Sequence, residues 1–81
     1  RLSAAETADA WTVEKLDDRY VVHGAKIEKF AVRTNFDQFE AVNRLRDIMR
    51  KMGISHELIR QGATSESIVE IGHHEMTLME Q

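Results

Sequence analysis

The side chains of this 81-residue chain that could carry chemistry are few and scattered. The most conspicuous pair is His73-His74, followed by Glu75, which together have the donor types of a metal site. On an extended strand, neighbouring side chains point to opposite faces and chelate poorly. In a turn the two rings could converge with Glu75, but no further ligand stands at a metal-binding spacing, so the pair reads as solvated turn histidines. His56-Glu57 opens an HExxH signature, yet Arg60 stands where the second histidine would be, so the two ligands one helical turn apart are missing. Asp17-Asp18 offers two carboxylates, but a glycosidase-type couple needs a cleft and several ångströms between carboxyl groups, and a turn supplies neither. His23 and His56 are lone histidines at element ends and read as structural or exposed. The four glycines, at 24, 53, 62 and 72, are isolated. They form no GxGxxG turn, no GxxxxGK phosphate loop followed by Ser or Thr, and no GxSxG elbow. With no nucleophile, base and oxyanion donors converging, the pattern points away from an enzyme.

The cations are more suggestive. The formal net charge of -3 hides an uneven distribution. Residues 1–25 carry -2 and residues 52–81 carry -4, whereas residues 26–51 carry +3. The balance argues against a uniformly basic nucleic-acid binder and leaves a local basic face open. Arg44, Arg46, Arg50 and Lys51 all fall on the stretch 36–52, whose apolar residues recur at spacings of three and four. Arg44 and Lys51 flank one edge of the apolar arc and Arg46 and Arg50 the other. Two readings stand side by side. In one the face is solvated and self-paired, with Glu40–Arg44 and Asp47–Lys51 as i,i+4 ion pairs and arginine stems covering apolar surface. In the other, these four cations contact RNA or an acidic protein. Phe30, Phe36 and Phe39 sit at helical spacings that suit a core rather than a platform for stacking bases.

The elements that must position these residues follow from periodicity. Residues 1–10 are small and polar and read as a linker remnant or disordered tail. Trp11 and Val13 alternate with Thr12 and Glu14, giving a strand over 11–16, with Trp11 on the inner face. Asp17-Asp18 turns the chain, and Tyr20-Val21-Val22 forms a second strand over 19–23, ended by Gly24. Ile27, Phe30, Ala31 and Thr34 share one face of a short helix. Asn35 and Gln38 have the form of a capping box for the long helix, which buries Phe39, Val42, Leu45, Ile48, Met49 and Met52. Gly53 is expected to end it in a left-handed conformation, with Ile54 packing back on Met49. Ser55 is the expected cap of a third helix with Leu58 and Ile59 inward, stopped by Gly62. A second hairpin follows: strand 68–71, turn 72–74, strand 75–79. The order ββαααββ implies an α+β fold, two hairpins forming a four-stranded sheet with helices packed on one face.

A chain of this length buries only about 60–65% of its unfolded surface, so it forms one small domain over residues 11–81. It has no cysteine, which excludes a disulfide framework and cysteine-ligated zinc. No apolar run exceeds three residues, far short of the roughly 20 needed for a membrane span. The first ten residues have no apolar stretch of the kind a signal peptide requires. A start at Arg1 reads as the detached end of something larger.

Several of these residues, taken in order, resemble a known family. The run Val22-x-Gly24-x-x-Ile27-Glu28-Lys29-Phe30 with Thr34-Asn35-Phe36 is similar to the opening of the C-terminal domain of Obg-type GTPases. Glu40-Ala41, Arg44-Leu45, Met52-Gly53-Ile54, Leu58, Gly62-Ala63, Val69-x-Ile71-Gly72 and Glu75 continue the match over about residues 11–80. Glu66-Ser67 stands where the family usually has Gly-Asp, and Met76 and Leu78 where it usually has aromatics. The resemblance implies a non-catalytic third domain of a cytoplasmic, bacterial GTP-binding protein that acts in large ribosomal subunit assembly and stress control. It implies no catalytic, cofactor or metal residue within this chain, since GTP and magnesium belong to the GTPase domain. The implied partners are the ribosome, through its RNA or proteins, and the parent's own GTPase domain. Neither a membrane nor a small-molecule substrate is implied.

Overall fold

The computed structural model describes residues 9–80. The tail expected over residues 1–10 therefore lies outside the described residues, except for its last two. Strands β1 (Thr12–Lys15) and β2 (Tyr20–His23) form one antiparallel hairpin, and β3 (Ile68–Ile71) and β4 (His74–Thr77) form the other. Between them run helices α1 (Ala25–Val32), α2 (Phe39–Lys51) and α3 (Ile54–Arg60). The order and the α+β class are those expected from periodicity; β3 spans the expected residues, the other three strands are one or two residues shorter, and His74 lies inside β4 rather than in the turn. The hairpins join in the order β1-β2-β3-β4 through a central parallel pair, Tyr20↔Val69, Val21↔Glu70 and Val22↔Ile71. Parallel neighbours need a long crossover, and the three helices supply it.

The register sorts the two faces. Val13, Val22 and Ile71 form one inward row, and Lys15, Tyr20, Val69 and Met76 the next. Ile27 and Ala31 of α1, Val42, Leu45 and Met49 of α2, and Ile54 and Leu58 of α3 close over these rows in a single core. The opposite face carries Glu14, Val21, Glu70 and Glu75 in register and faces solvent.

Local detail departs from expectation at the helix starts. Asn35 does not cap α2. Its Oδ1 accepts the Asp37 N–H at 2.9 Å, a local turn that holds residues 35–38 out of the helix. Gln38 is the N-cap, without a side-chain bond. Phe36 therefore packs against the core, whereas Phe39, the first helical residue, is 60% exposed. Ser55 does not cap α3 either. Gly53, at φ 86°, both follows α2 and caps α3, which places Ser55 inside the first turn, buried. An α3 that starts two residues earlier than expected turns Ile54 and Leu58 inward and leaves Ile59 half exposed. The helix ends fully capped, with Gly62 N–H donating to the Ile59 carbonyl and Ala63 N–H to the Leu58 carbonyl at 3.0 Å each.

Gly24 is required by space, not by backbone angle. A Cβ there would lie 2.8 Å from the Ala10 carbonyl oxygen and 2.9 Å from Trp11 Cβ. That close approach seats Trp11 half-buried against the core, and its indole N–H donates to the Met52 carbonyl at 3.1 Å. Trp11 thus satisfies an orphan carbonyl at the end of α2 as well as packing.

Candidate functional site

The four cations singled out on the long helix do not share one surface. Arg46 is buried, at 8% exposure, and its guanidinium faces β4. Nε donates to the Thr77 carbonyl at 3.1 Å, Nη2 to Thr77 Oγ1 at 2.9 Å and Nη1 to Asn43 Oδ1 at 2.7 Å. β4 is an edge strand, so Arg46 occupies backbone that no neighbouring strand covers. Burial pulls its pKa below the usual guanidinium value. Sequence spacing placed Arg46 at the margin of the apolar arc, but only the position of β4 beside that margin makes it interior.

Arg44, Arg50 and Lys51 are exposed. The expected i,i+4 pairs are absent. Asp47 instead pairs with Arg50, one turn on, and among the described residues Arg44 has no ion-pair partner. An open groove of about 540 Å³ beside α2 is lined by Arg44, Arg46 and Arg50, by the carboxylates Glu40, Asp47 and Glu80, and by Asn43 and Met79. Lys51 lies apart from it, beside Asp9, Trp11, Lys26 and Met52. The structure thus brings three of the four together, one of them already engaged in the fold.

The remaining chemistry-bearing residues are tied into local structure. Arg60, where a zinc ligand would be, grips Glu57 through Nε at 2.8 Å and Nη2 at 2.6 Å, and Gln61 Nε2 adds a bond at 2.7 Å. These bonds hold the Glu57 carboxyl down at about 2, so it is ionised at neutral pH. The ring of His74 stacks on Phe36, centroids 4.5 Å apart and 5° from parallel, while His73 lies in the turn. Among the described residues, no group of three or more His, Asp or Glu side chains is arranged to hold a metal ion. Asp18 bonds Arg19, which lowers its pKa. Arg19 also binds Glu70 at 2.8 Å and pairs with Glu75. Glu70 and Glu75 are direct partners across β3 and β4, and like charges so placed repel. Arg19 offsets that repulsion and joins the two hairpins on the open face. Sequence reasoning passed over it, although two glutamates bracketing a tight hairpin turn were the available signal.

Residues 11–77 match a family model described as "Domain of unknown function (DUF1967)". The chain belongs to this family. Its curated relatives include proteins named GTPase Obg, and the similarity is to their C-terminal domain. The chain is 34% identical over 68 residues to GTPase Obg of Chloroflexus aggregans, covering 84% of this chain and 16% of that protein. It is 40% identical over 63 residues to that of Lactobacillus delbrueckii subsp. bulgaricus, covering 76% and 14%. It is 34% identical over 77 residues to that of Brevibacillus brevis, covering 95% and 18%. The chain thus spans roughly a sixth of the length of the curated relatives it matches. No solved structure matches it. In this DUF1967 domain Ser67 is tied into the loop before β3. The Ser67 Oγ accepts the Thr64 N–H at 2.8 Å and the Ser67 carbonyl accepts Leu78 N–H at 3.0 Å. A hydroxyl there anchors the loop into β3, an acceptor role open also to aspartate. Met76 and Leu78, in place of aromatics, are both buried in the core.

Proposed function

We propose that this domain is a non-catalytic accessory part of an Obg-type GTP-binding protein. It modulates how that protein associates with the large ribosomal subunit during assembly and under stress, in the bacterial cytoplasm. The observation that carries this reading is the similarity of most of the chain to proteins named GTPase Obg, in a chain whose four isolated glycines form no phosphate loop. GTP and magnesium are then the business of the parent's GTPase domain, and the partners are ribosomal RNA or protein, or that GTPase domain itself. The test is co-sedimentation of the parent, with and without residues 11–81, on ribosomal subunits in each nucleotide state. Deletion should change the nucleotide dependence of association, and an unchanged profile would reject the modulatory role. Titration of the 81-residue chain with a fluorescent GTP analogue checks the non-catalytic part. Micromolar, magnesium-dependent binding would contradict it.

A second reading, a stand-alone RNA- or protein-binding module using residues 36–52, is favoured by the exposure of Arg44, Arg50 and Lys51. It predicts that Arg44→Glu with Arg50→Glu weakens RNA binding and flattens its salt dependence, because fewer counterions are released. RNA binding that is undetectable or insensitive to the pair rejects it.

A further inference from the structure

Between α1 and α2 lies a pocket of about 200 Å³ lined by Phe30, Arg33, Thr34, Ala41, Arg44 and Ile48. Its walls are the half-buried faces of Phe30 and Ile48, and Ala41 supplies a low point between them. A second groove continues from it past Ala41 and Arg44 to Phe39, the aromatic that the core leaves 60% exposed. The rim is cationic. Arg33, just beyond the end of α1, and Arg44, on α2, both line the pocket. Neither has an ion pair or hydrogen bond from its side chain among the described residues. Elsewhere in the described structure arginines are engaged: Arg19, Arg46, Arg50 and Arg60 all hold carboxylate or carbonyl partners. Two unengaged guanidinium forks beside an apolar pocket fit a ligand that brings its own carboxylates and an apolar anchor.

We infer that the α1–α2 groove docks a protein segment carrying one large apolar side chain flanked by aspartate or glutamate. The apolar anchor enters between Phe30 and Ile48, Arg33 and Arg44 each take a carboxylate, and Phe39 covers the exposed flank. Such an arrangement, a buried anchor within a charged rim, concentrates binding in a few residues. Single-stranded RNA fits less well. A backbone-tracking groove needs a continuous line of cations, whereas Glu40 interrupts this one between Arg44 and Phe39, which confines the ligand's carboxylates to the pocket that Arg33 and Arg44 line. The inference rests on the accessory role proposed above, for it supplies the surface and the kind of partner through which that role would act.

The test is selection of a random dodecapeptide phage library on the immobilised 81-residue chain, which involves neither the GTPase domain nor the ribosome. Enriched peptides should combine an aromatic or aliphatic residue with neighbouring Asp or Glu. A synthetic copy of the leading peptide should shift the amide resonances of residues 30–34 and 39–48. Its binding should fall about tenfold or more in Arg33→Glu/Arg44→Glu and in Ala41→Trp, which fills the low point. Circular dichroism and the melting temperature report whether each variant is folded, and the charge-reversed pair alters only exposed side chains should Ala41→Trp not fold. No enrichment, enrichment of basic or uncharged peptides, or resonance shifts elsewhere would overturn the inference. So would binding of a decauridine RNA at comparable affinity that is lost in the same variants. Any of these leaves the accessory role to be judged by the deletion experiment, so the two can fail separately.

Discussion

On the side of α2 that faces β4, a guanidinium is spent inside the fold. Arg46 bonds the edge strand at Thr77 and its own helix at Asn43. On the side that faces α1, Arg44 and, across the gap, Arg33 line a pocket, and among the described residues their guanidinium groups have no partner. Arg44 and Arg46 are two residues apart and chemically identical. At about 100° per residue the two side chains leave the helix about 200° apart. Both reach the open groove over its outer face, but Arg46 turns in to β4 while Arg44 also lines the pocket toward α1. What stands beside each decides its role. A positive stretch in a sequence therefore need not be a positive surface.

This contrast can be broken at its strong side first. Arg46→Ala removes three hydrogen bonds from a charged donor and leaves the Thr77 carbonyl without its partner. It should cost about 2 to 3 kcal/mol in chemical denaturation, with Arg46→Lys recovering only part because an ammonium cannot fork. A loss below about 0.5 kcal/mol would put Arg46 in the same class as Arg44. A separate stitch closes the C-terminal end of α2, so Trp11→Phe, which keeps an aromatic ring but loses the bond to Met52, should cost about 1 kcal/mol by the same measurement.

Acid titration sharpens the distinction between charges that hold structure and charges that do not. The folded-state pKa of Glu57 is depressed to about 2 from an ordinary value of 4.5. Its stabilisation is therefore complete above pH 4.5 and disappears as pH falls through about 2. Glu57→Gln should lower the melting temperature at neutral pH and flatten its decline across that window. A parallel decline in both proteins would show that the ion pair with Arg60 contributes nothing. The smallest effect belongs to the open side. Arg44→Ala should change stability by no more than about 0.5 kcal/mol, and a larger loss would mean that Arg44 has a structural partner.

Much of the fold was legible because its signals are local. Alternation marks the hairpins, three-and-four spacing marks α2, and glycines stand before α1, between α2 and α3, and after α3. The central pairing of β2 with β3 was not, since two hairpins with inward rows of Val, Ile and Met can join in several orders and no short-range pattern distinguishes them. The departures at Asn35 and Ser55 share one cause. A polar side chain suited to capping can bond another nearby backbone group, or be overridden by a left-handed glycine, and the pattern is the same in each case. The candidate site was half legible. Spacing found the cations of α2, but the burial of Arg46, the exposure of Phe39 and the facing position of Arg33 depend on which elements flank α2. Arg33 and Arg44 meet only because α1 packs beside α2.

The division of α2 into a stitched side and an open side is tested most directly by NMR of the arginine Nε–H groups. The measurement is their exchange with solvent in the 81-residue chain. The account predicts that the Arg46 Nε–H, bonded to the Thr77 carbonyl and buried, exchanges slowly, while those of Arg44 and Arg33 exchange as fast as a free arginine. Fast exchange at Arg46, or protection at Arg44 and Arg33 equal to that at Arg46, would contradict it.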